Sequence, residues 1–182
     1  AFSEEMFLND TFPAYALLEM PPFFQRYNGS DQVASQLIWN YLKMRFEPTH
    51  TRNNMLEEML FQGKLWYSLL TLFPDRNPWE LLGYDETEWK WMMKEEGQIW
   101  KHFLDNKLLF SSKFNDYKRY FAFGNKTFGG GVPEDCPPLI GNFIGMRIAQ
   151  TFAKKNEGNL DQIWRNVNAN QFLQASTYNP IK

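Results

Sequence analysis

Two histidines, His50 and His102, are the first residues to consider for metal chemistry, because imidazole is the commonest metal ligand in proteins. A helical zinc peptidase carries two histidines four residues apart, with a glutamate next to the first. This sequence has no such pair: His50 lies at a helix break, and His102 lies on the polar side of its helix. Two solvated histidines are therefore predicted, and we expect no metal, no cofactor and no catalytic residue.

The single cysteine, Cys136, excludes an internal disulfide and a multi-cysteine metal site. No histidine lies near it in sequence to activate the thiol, so an inert thiol is favoured over a nucleophile.

The glycine triplet at 129–131 does not match a phosphate-binding loop. Lys126 and Thr127 precede the glycines, whereas such a loop places its lysine and hydroxyl after them. We interpret the triplet as a flexible loop.

Glu96 is the most interesting titratable residue. Helical spacing places it on the same face as Trp89 and Trp100, so its carboxylate points into an aromatic face. An unpaired buried charge is costly, and a partner is therefore expected. Arg147, which lies in the apolar segment 143–148, is the predicted partner. A structural ion pair is favoured over a functional acid.

The sequence pattern predicts that helices position these side chains along the whole chain. Apolar residues recur at helical spacing, and no alternating strand pattern is longer than about five residues. The sequence predicts a single compact all-α domain of six or seven helices over residues 1–182, with an irregular aromatic wrap at 1–27 and a helical body at 28–182. The predicted helices are about 28–46, 51–73, 85–107, 111 or 112–123, 139–156 and 160–176, with an irregular stretch at 124–138.

Two small residues, Gly141 and Gly145, lie four positions apart in the predicted helix 139–156. This spacing puts both on one face and predicts that another helix crosses closely there.

Composition excludes several classes of protein. The 182 residues are 43% hydrophobic and 18% aromatic, which excludes intrinsic disorder. The formal net charge of −2 gives no global field that attracts nucleic acid or anionic lipid. The longest stretches without a charge fall far short of the roughly 20 residues that a spanning helix needs. No secretion signal is visible at the start of the chain.

An ordered set of motifs goes beyond composition and resembles a known family. In order and spacing, the motifs resemble the GldB-type gliding-motility lipoproteins, and the similarity runs from about Phe7 to the end. The segments that carry it are Met59–Tyr67, Phe73–Asp75, Leu82–Tyr84, Glu96–Trp100, Leu108–Ser111, Ile140–Ile148 and Ser176–Pro180.

That family is distantly similar to predicted zinc peptidases, which implies a peptidase-like helical frame. In those enzymes a later glutamate ligand stands in a Glu-Gly context, and here Gln62 stands in its place before Gly63. A neutral amide is a poor zinc ligand beside a carboxylate. The upstream helix, around 36–42, carries no histidine. Two further departures are Met146 and Leu139, where the family pattern has an aromatic residue and an arginine.

The resemblance implies a non-catalytic lipoprotein of the cell envelope that faces the periplasm from the outer membrane. Its lipid anchor would lie outside this chain, and it would associate with gliding and secretion machinery. Recognition of a peptide or protein partner is expected in a groove between three helices, with no role for nucleic acid. The groove candidates are Glu58, Gln62, Trp66, Glu96, Trp100 and Arg147.

Two alternatives stay open at this point. One is a hydrolase that uses Glu96 or Glu58 as its acid or base; Glu58 lies one turn before Gln62 and shares its helix face. The other is an interaction domain whose groove is filled by its own aromatic core.

Overall fold

A computed structural model describes residues 12–47, 52–123, 127, 131–133, 135–156, 159–165 and 168–181. These residues form helices and turns and contain no strand, which confirms the all-α prediction. His50 and most of the glycine triplet lie outside the described residues. The α-helices are α1 (Pro13–Leu17), α2 (Pro22–Tyr27), α3 (Val33–Phe46), α4 (Met55–Leu72), α5 (Pro78–Leu82), α6 (Glu86–Asp105), α7 (Phe114–Tyr117), α8 (Ile140–Lys155), α9 (Leu160–Trp164) and α10 (Ala169–Ser176).

The two longest helices begin at side-chain caps. The Asn54 side chain accepts a hydrogen bond from the Glu57 backbone N–H at the start of α4. At the start of α6, Asp85 and Glu88 form a reciprocal capping box. Such caps satisfy N–H groups that have no partner within the helix. The sequence therefore sets the start of both helices locally.

The closest helix crossing in the fold joins α4 to α8. A Cβ built on Gly63 would lie 2.0 Å from the carbonyl carbon of Gly145, and one built on Gly145 would lie 1.9 Å from the Met59 oxygen. The two backbones therefore touch, which confirms the crossing predicted at Gly145. The same prediction is wrong for Gly141, where the close neighbour is a side chain and not a crossing backbone. A Cβ built on Gly141 would lie 2.5 Å from a carbon of the Phe121 ring.

A continuous hydrophobic cluster draws residues from α2 to α10. Helix α8 lies at its centre: residues 140–146 are all buried, and so are residues 148 and 149. One side of α8 meets α4 at the glycine crossing. Phe143, in contrast, contacts the Trp89 ring of α6 edge-on, with the ring centroids 5.7 Å apart. Helix α8 thus separates α4 from much of α6.

Two of the predicted helices differ in the structure: one is shorter than predicted, and the other is divided into two. The helix predicted from 111 or 112 to 123 is only α7, followed by a 3-10 turn at Lys118–Phe121. The Ser111 hydroxyl oxygen accepts a hydrogen bond from the Lys113 backbone N–H at 3.2 Å, a local bond that competes with helical pairing, and the same hydroxyl donates to Asp116. The helix predicted over 160–176 is divided because the Asn168 side chain caps a new helix, α10.

Residues 12–27, part of the predicted wrap, contain the short helices α1 and α2.

Among the described residues, we find no helix with the length and apolar content needed to span a bilayer.

Candidate functional site

Glu96 lies in a charged cluster between α6, α8 and the C-terminal segment. Arg147 Nε donates to Glu96 Oε1 at 2.9 Å, which confirms the predicted ion pair. The Tyr178 hydroxyl donates to the same oxygen at 2.9 Å. Arg147 also donates through Nη1 to Gln150 at 2.8 Å. With Glu96 only 8% exposed, these bonds compensate a buried charge.

Tyr178 belongs to a C-terminal segment that lies on α6. Its ring meets the Trp100 ring edge-on, with centroids 5.2 Å apart. Further along, the Pro180 carbonyl oxygen lies 3.0 Å from where a Cβ on Gly97 would stand. Burial, followed by the nearby charge of Glu96, raises the pKa of Tyr178 far above its ordinary value, so the hydroxyl stays a donor. The surface above Glu96 is therefore occupied by residues 178–181 of the same chain.

A second charged cluster surrounds Glu58 at the start of α4. Arg52 Nε donates to Glu58, and Arg52 Nη1 donates to Glu47 at 2.6 Å. Gln62 donates through Nε2 to the other Glu58 oxygen at 2.8 Å. The Arg52 guanidinium also lies over the Phe61 ring, 4.4 Å from its centroid. Gln62, the residue in the place of the expected zinc ligand, thus bonds to a neighbouring side chain on its own helix.

Trp66 lies in the core and not at an open surface. It is 5% exposed, and its ring meets the Tyr84 ring edge-on at 5.8 Å. Tyr84 is buried in turn, and its hydroxyl donates to the Pro138 carbonyl at 2.8 Å.

The six predicted groove residues thus fall into three different environments. Glu96, Trp100 and Arg147 come together with Tyr178, Glu58 and Gln62 form a separate cluster with Arg52, and Trp66 packs in the core. A shared groove stays a prediction, and over Glu96 it requires the C-terminal segment to move.

His102 differs from its prediction as a solvated residue. It is half-buried, with Nε2 at 2.8 Å from the Tyr120 hydroxyl and Nδ1 at 3.2 Å from the Asn106 amide. The Asn106 amide nitrogen can only donate, so Nδ1 accepts and the proton lies on Nε2. Burial, and then the charge of Arg119, lowers the pKa of His102. The ring is therefore neutral at pH 7.

Cys136 is fully buried, and this burial raises the pKa of its thiol to about 12. Such a thiol carries almost no thiolate at neutral pH, which agrees with the inert role favoured from sequence. Within the described part of the chain, no group of three or more histidine, cysteine, aspartate or glutamate residues could hold a metal ion.

The fold and the site define an all-helical protein in which the carboxylates of Glu58 and Glu96 are paired internally. The family model for the gliding motility protein GldB matches residues 1–180, so the chain belongs to the GldB family of gliding-motility lipoproteins of the cell envelope. Neither the curated proteins nor the solved structures contain a match.

Proposed function

We propose that this protein is a non-catalytic, partner-binding component of gliding and secretion machinery. It faces the periplasm from the outer membrane, on a frame derived from a zinc peptidase that has lost its metal ligands. Membership of the GldB family supports the proposed association with this machinery. The loss of catalysis is supported by Gln62 and by the carboxylates of Glu58 and Glu96, which already accept hydrogen bonds from internal donors.

An exposed apolar stripe on α3 carries the proposal of partner binding. Leu37, Tyr41 and Met44 follow each other at helical spacing and are 44%, 66% and 83% exposed. Single exposed apolar residues are ordinary on protein surfaces, but a row on one helix face is typical of an interaction surface. The opposite face of α3 packs through Ile38 and Trp39 against the core.

Two basic residues in the last turn of α3, where the stripe ends at Met44, identify the chemistry of the partner. Lys43 and Arg45 are the charged residues of α3, and neither forms an ion pair within the described part of the chain. Lys43 Nζ instead lies 5.1 Å from the Trp39 ring centroid. The stripe therefore fits an envelope protein that presents an amphipathic helix with acidic residues beside its apolar face.

Photo-crosslinking in the native cell tests this proposal. A photoreactive phenylalanine analogue replaces Tyr41, and a matched control carries it at Thr87, an exposed residue of α6. The proposal predicts a crosslink from position 41, but not 87, to an envelope component of the gliding or secretion machinery that is identified by mass spectrometry. Adding Met44→Asp should abolish the crosslink. Equal capture from both positions, or capture that survives Met44→Asp, would contradict the proposal.

A further inference from the structure

A cavity of about 430 Å³ lies between α6 and a second wall that includes Gly131. Its helical wall is formed by residues at successive turns of α6, and its other wall includes Val132, Pro133 and Cys136. This volume lies in the range of about 300–1,000 Å³ that is common for small-molecule sites. The helical wall includes the side chains of Trp91, Glu95, Gln98, His102, Asp105 and Asn106. We propose that this cavity binds a saccharide.

The helical wall of the cavity combines one large aromatic ring with planar polar groups. Trp91 packs against the core yet also lines the cavity, and no aromatic ring contact forms with it among the described residues. An indole face of this kind can cover the apolar C–H face of a sugar ring. Carboxylates and amides bind the remaining hydroxyls, because each hydroxyl both donates and accepts.

Polar side chains of this wall are also exposed and accessible to a ligand. The side chains of Gln98 and Asp105 form no hydrogen bond within the described part of the chain, and Glu95 meets only the exposed Lys94 at 3.5 Å. Glu95 follows Trp91 by four positions, Gln98 follows Glu95 by three, and Asp105 follows Gln98 by seven. All of them therefore lie along one face of α6. Over these turns a ligand with several hydroxyls can meet several of them at once.

The charges around the cavity favour a neutral ligand. The carboxylates Glu95 and Asp105 are balanced by Lys94, by Lys101 in the lining and by Arg119 beside His102. The imidazole is neutral at pH 7 and bonded to Tyr120, so it adds neither charge nor a free proton. A lining that mixes apolar and polar groups, with charges of both signs, suits a polyhydroxyl ligand better than an ion or an apolar peptide anchor. The inference goes beyond the proposed function and is independent of the α3 surface.

The test begins with a glycan microarray and continues by NMR on the ¹⁵N-labelled protein. Glucose, N-acetylglucosamine and maltose are titrated together with any array hit, and acetyl-alanyl-alanine methylamide serves as the peptide probe. The readout is the indole N–H signal of Trp91, which is assigned with Trp91→Phe. We expect at least one saccharide to move this signal in a saturable way.

Two substitutions at exposed positions of the cavity wall test binding without disturbing the core, so a loss of binding does not reflect misfolding. Asp105→Ala and Gln98→Ala should each weaken saccharide binding, by roughly tenfold for the charged group. Lys90→Ala, an exposed position of the same helix outside the lining, should leave binding unchanged. The proposal fails if no saccharide moves the signal, if Asp105→Ala binds equally well, or if the peptide probe moves the signal as strongly.

Discussion

The ammonium group of Lys64 lies against aromatic rings. Its Nζ is 4.3 Å from the Phe172 ring centroid and 6.0 Å from the Trp164 ring centroid. No carboxylate of the described residues lies within ion-pair distance of it. Burial lowers the pKa of Lys64 from 10.5 to about 8. The charged form therefore costs folding free energy, which Lys64→Met should recover because methionine keeps the apolar stem.

The fall from 10.5 to about 8 corresponds to about 3 kcal/mol at about 1.4 kcal/mol for each pH unit. Lys64 is partly exposed, and solvent screening reduces this figure to about 1–2 kcal/mol. Between the two pKa values the unfolded chain binds more protons than the folded protein, so the wild type gains stability as pH rises. Below about pH 8 the full cost is present. Lys64→Met should thus stabilise most near neutral pH.

Urea unfolding near pH 7 and near pH 9 measures this difference, below the range where buried tyrosines ionise. The variant should be more stable by about 1–2 kcal/mol near pH 7, with a smaller gain near pH 9. Lys94→Met, at a side chain that is 82% exposed, is the matched control and should change neither value. If Lys64→Met lowers stability, the cation–π contacts outweigh desolvation and the reasoning is refuted.

Three further predictions concern packing and pairing. Gly63→Ala should cost at least about 3 kcal/mol in urea unfolding, because the new Cβ meets the Gly145 backbone; a near-neutral result would mean that the crossing is looser. Tyr178→Phe should cost about 1–2 kcal/mol, since it removes a hydrogen bond to the charged Glu96, and an unchanged midpoint would show that the bond is absent in solution. Cys136 should react with a thiol-specific dye only after denaturation, and fast labelling of the native protein would contradict its burial.

The long helices could be predicted from sequence because periodicity and caps act locally. The helix predicted at 85–107 is observed as Glu86–Asp105, and the one predicted at 139–156 as Ile140–Lys155. Helix ends were predicted less well where a side chain bonds to the backbone, as Ser111 does to the Lys113 N–H and Asn168 does to the Asn170 N–H. The pairing of Gly145 with Gly63 could be expected only as a close crossing, since helix spacing does not identify the partner helix.

The candidate site could be predicted only in part. Glu96 and Arg147 stand out because charged residues on apolar helix faces need partners. Tyr178 could not be assigned to this cluster, because it lies beyond the last helix and has no periodicity to place it. The cavity was missed for a similar reason: the face of α6 that carries Gln98 and His102 reads as a solvated face, and only the structure places Val132, Pro133 and Cys136 against it.

Recovery of partners from the cell envelope tests the central claim most directly. The full lipoprotein is purified from solubilised envelopes as wild type, Met44→Asp and Glu58→Gln, and the bound proteins are quantified by mass spectrometry. If the protein acts by recognition through α3, Glu58→Gln should retain the same gliding or secretion components as the wild type, and Met44→Asp should lose them. Full retention by Met44→Asp together with loss in Glu58→Gln would contradict the account and place the function at the Glu58 cluster.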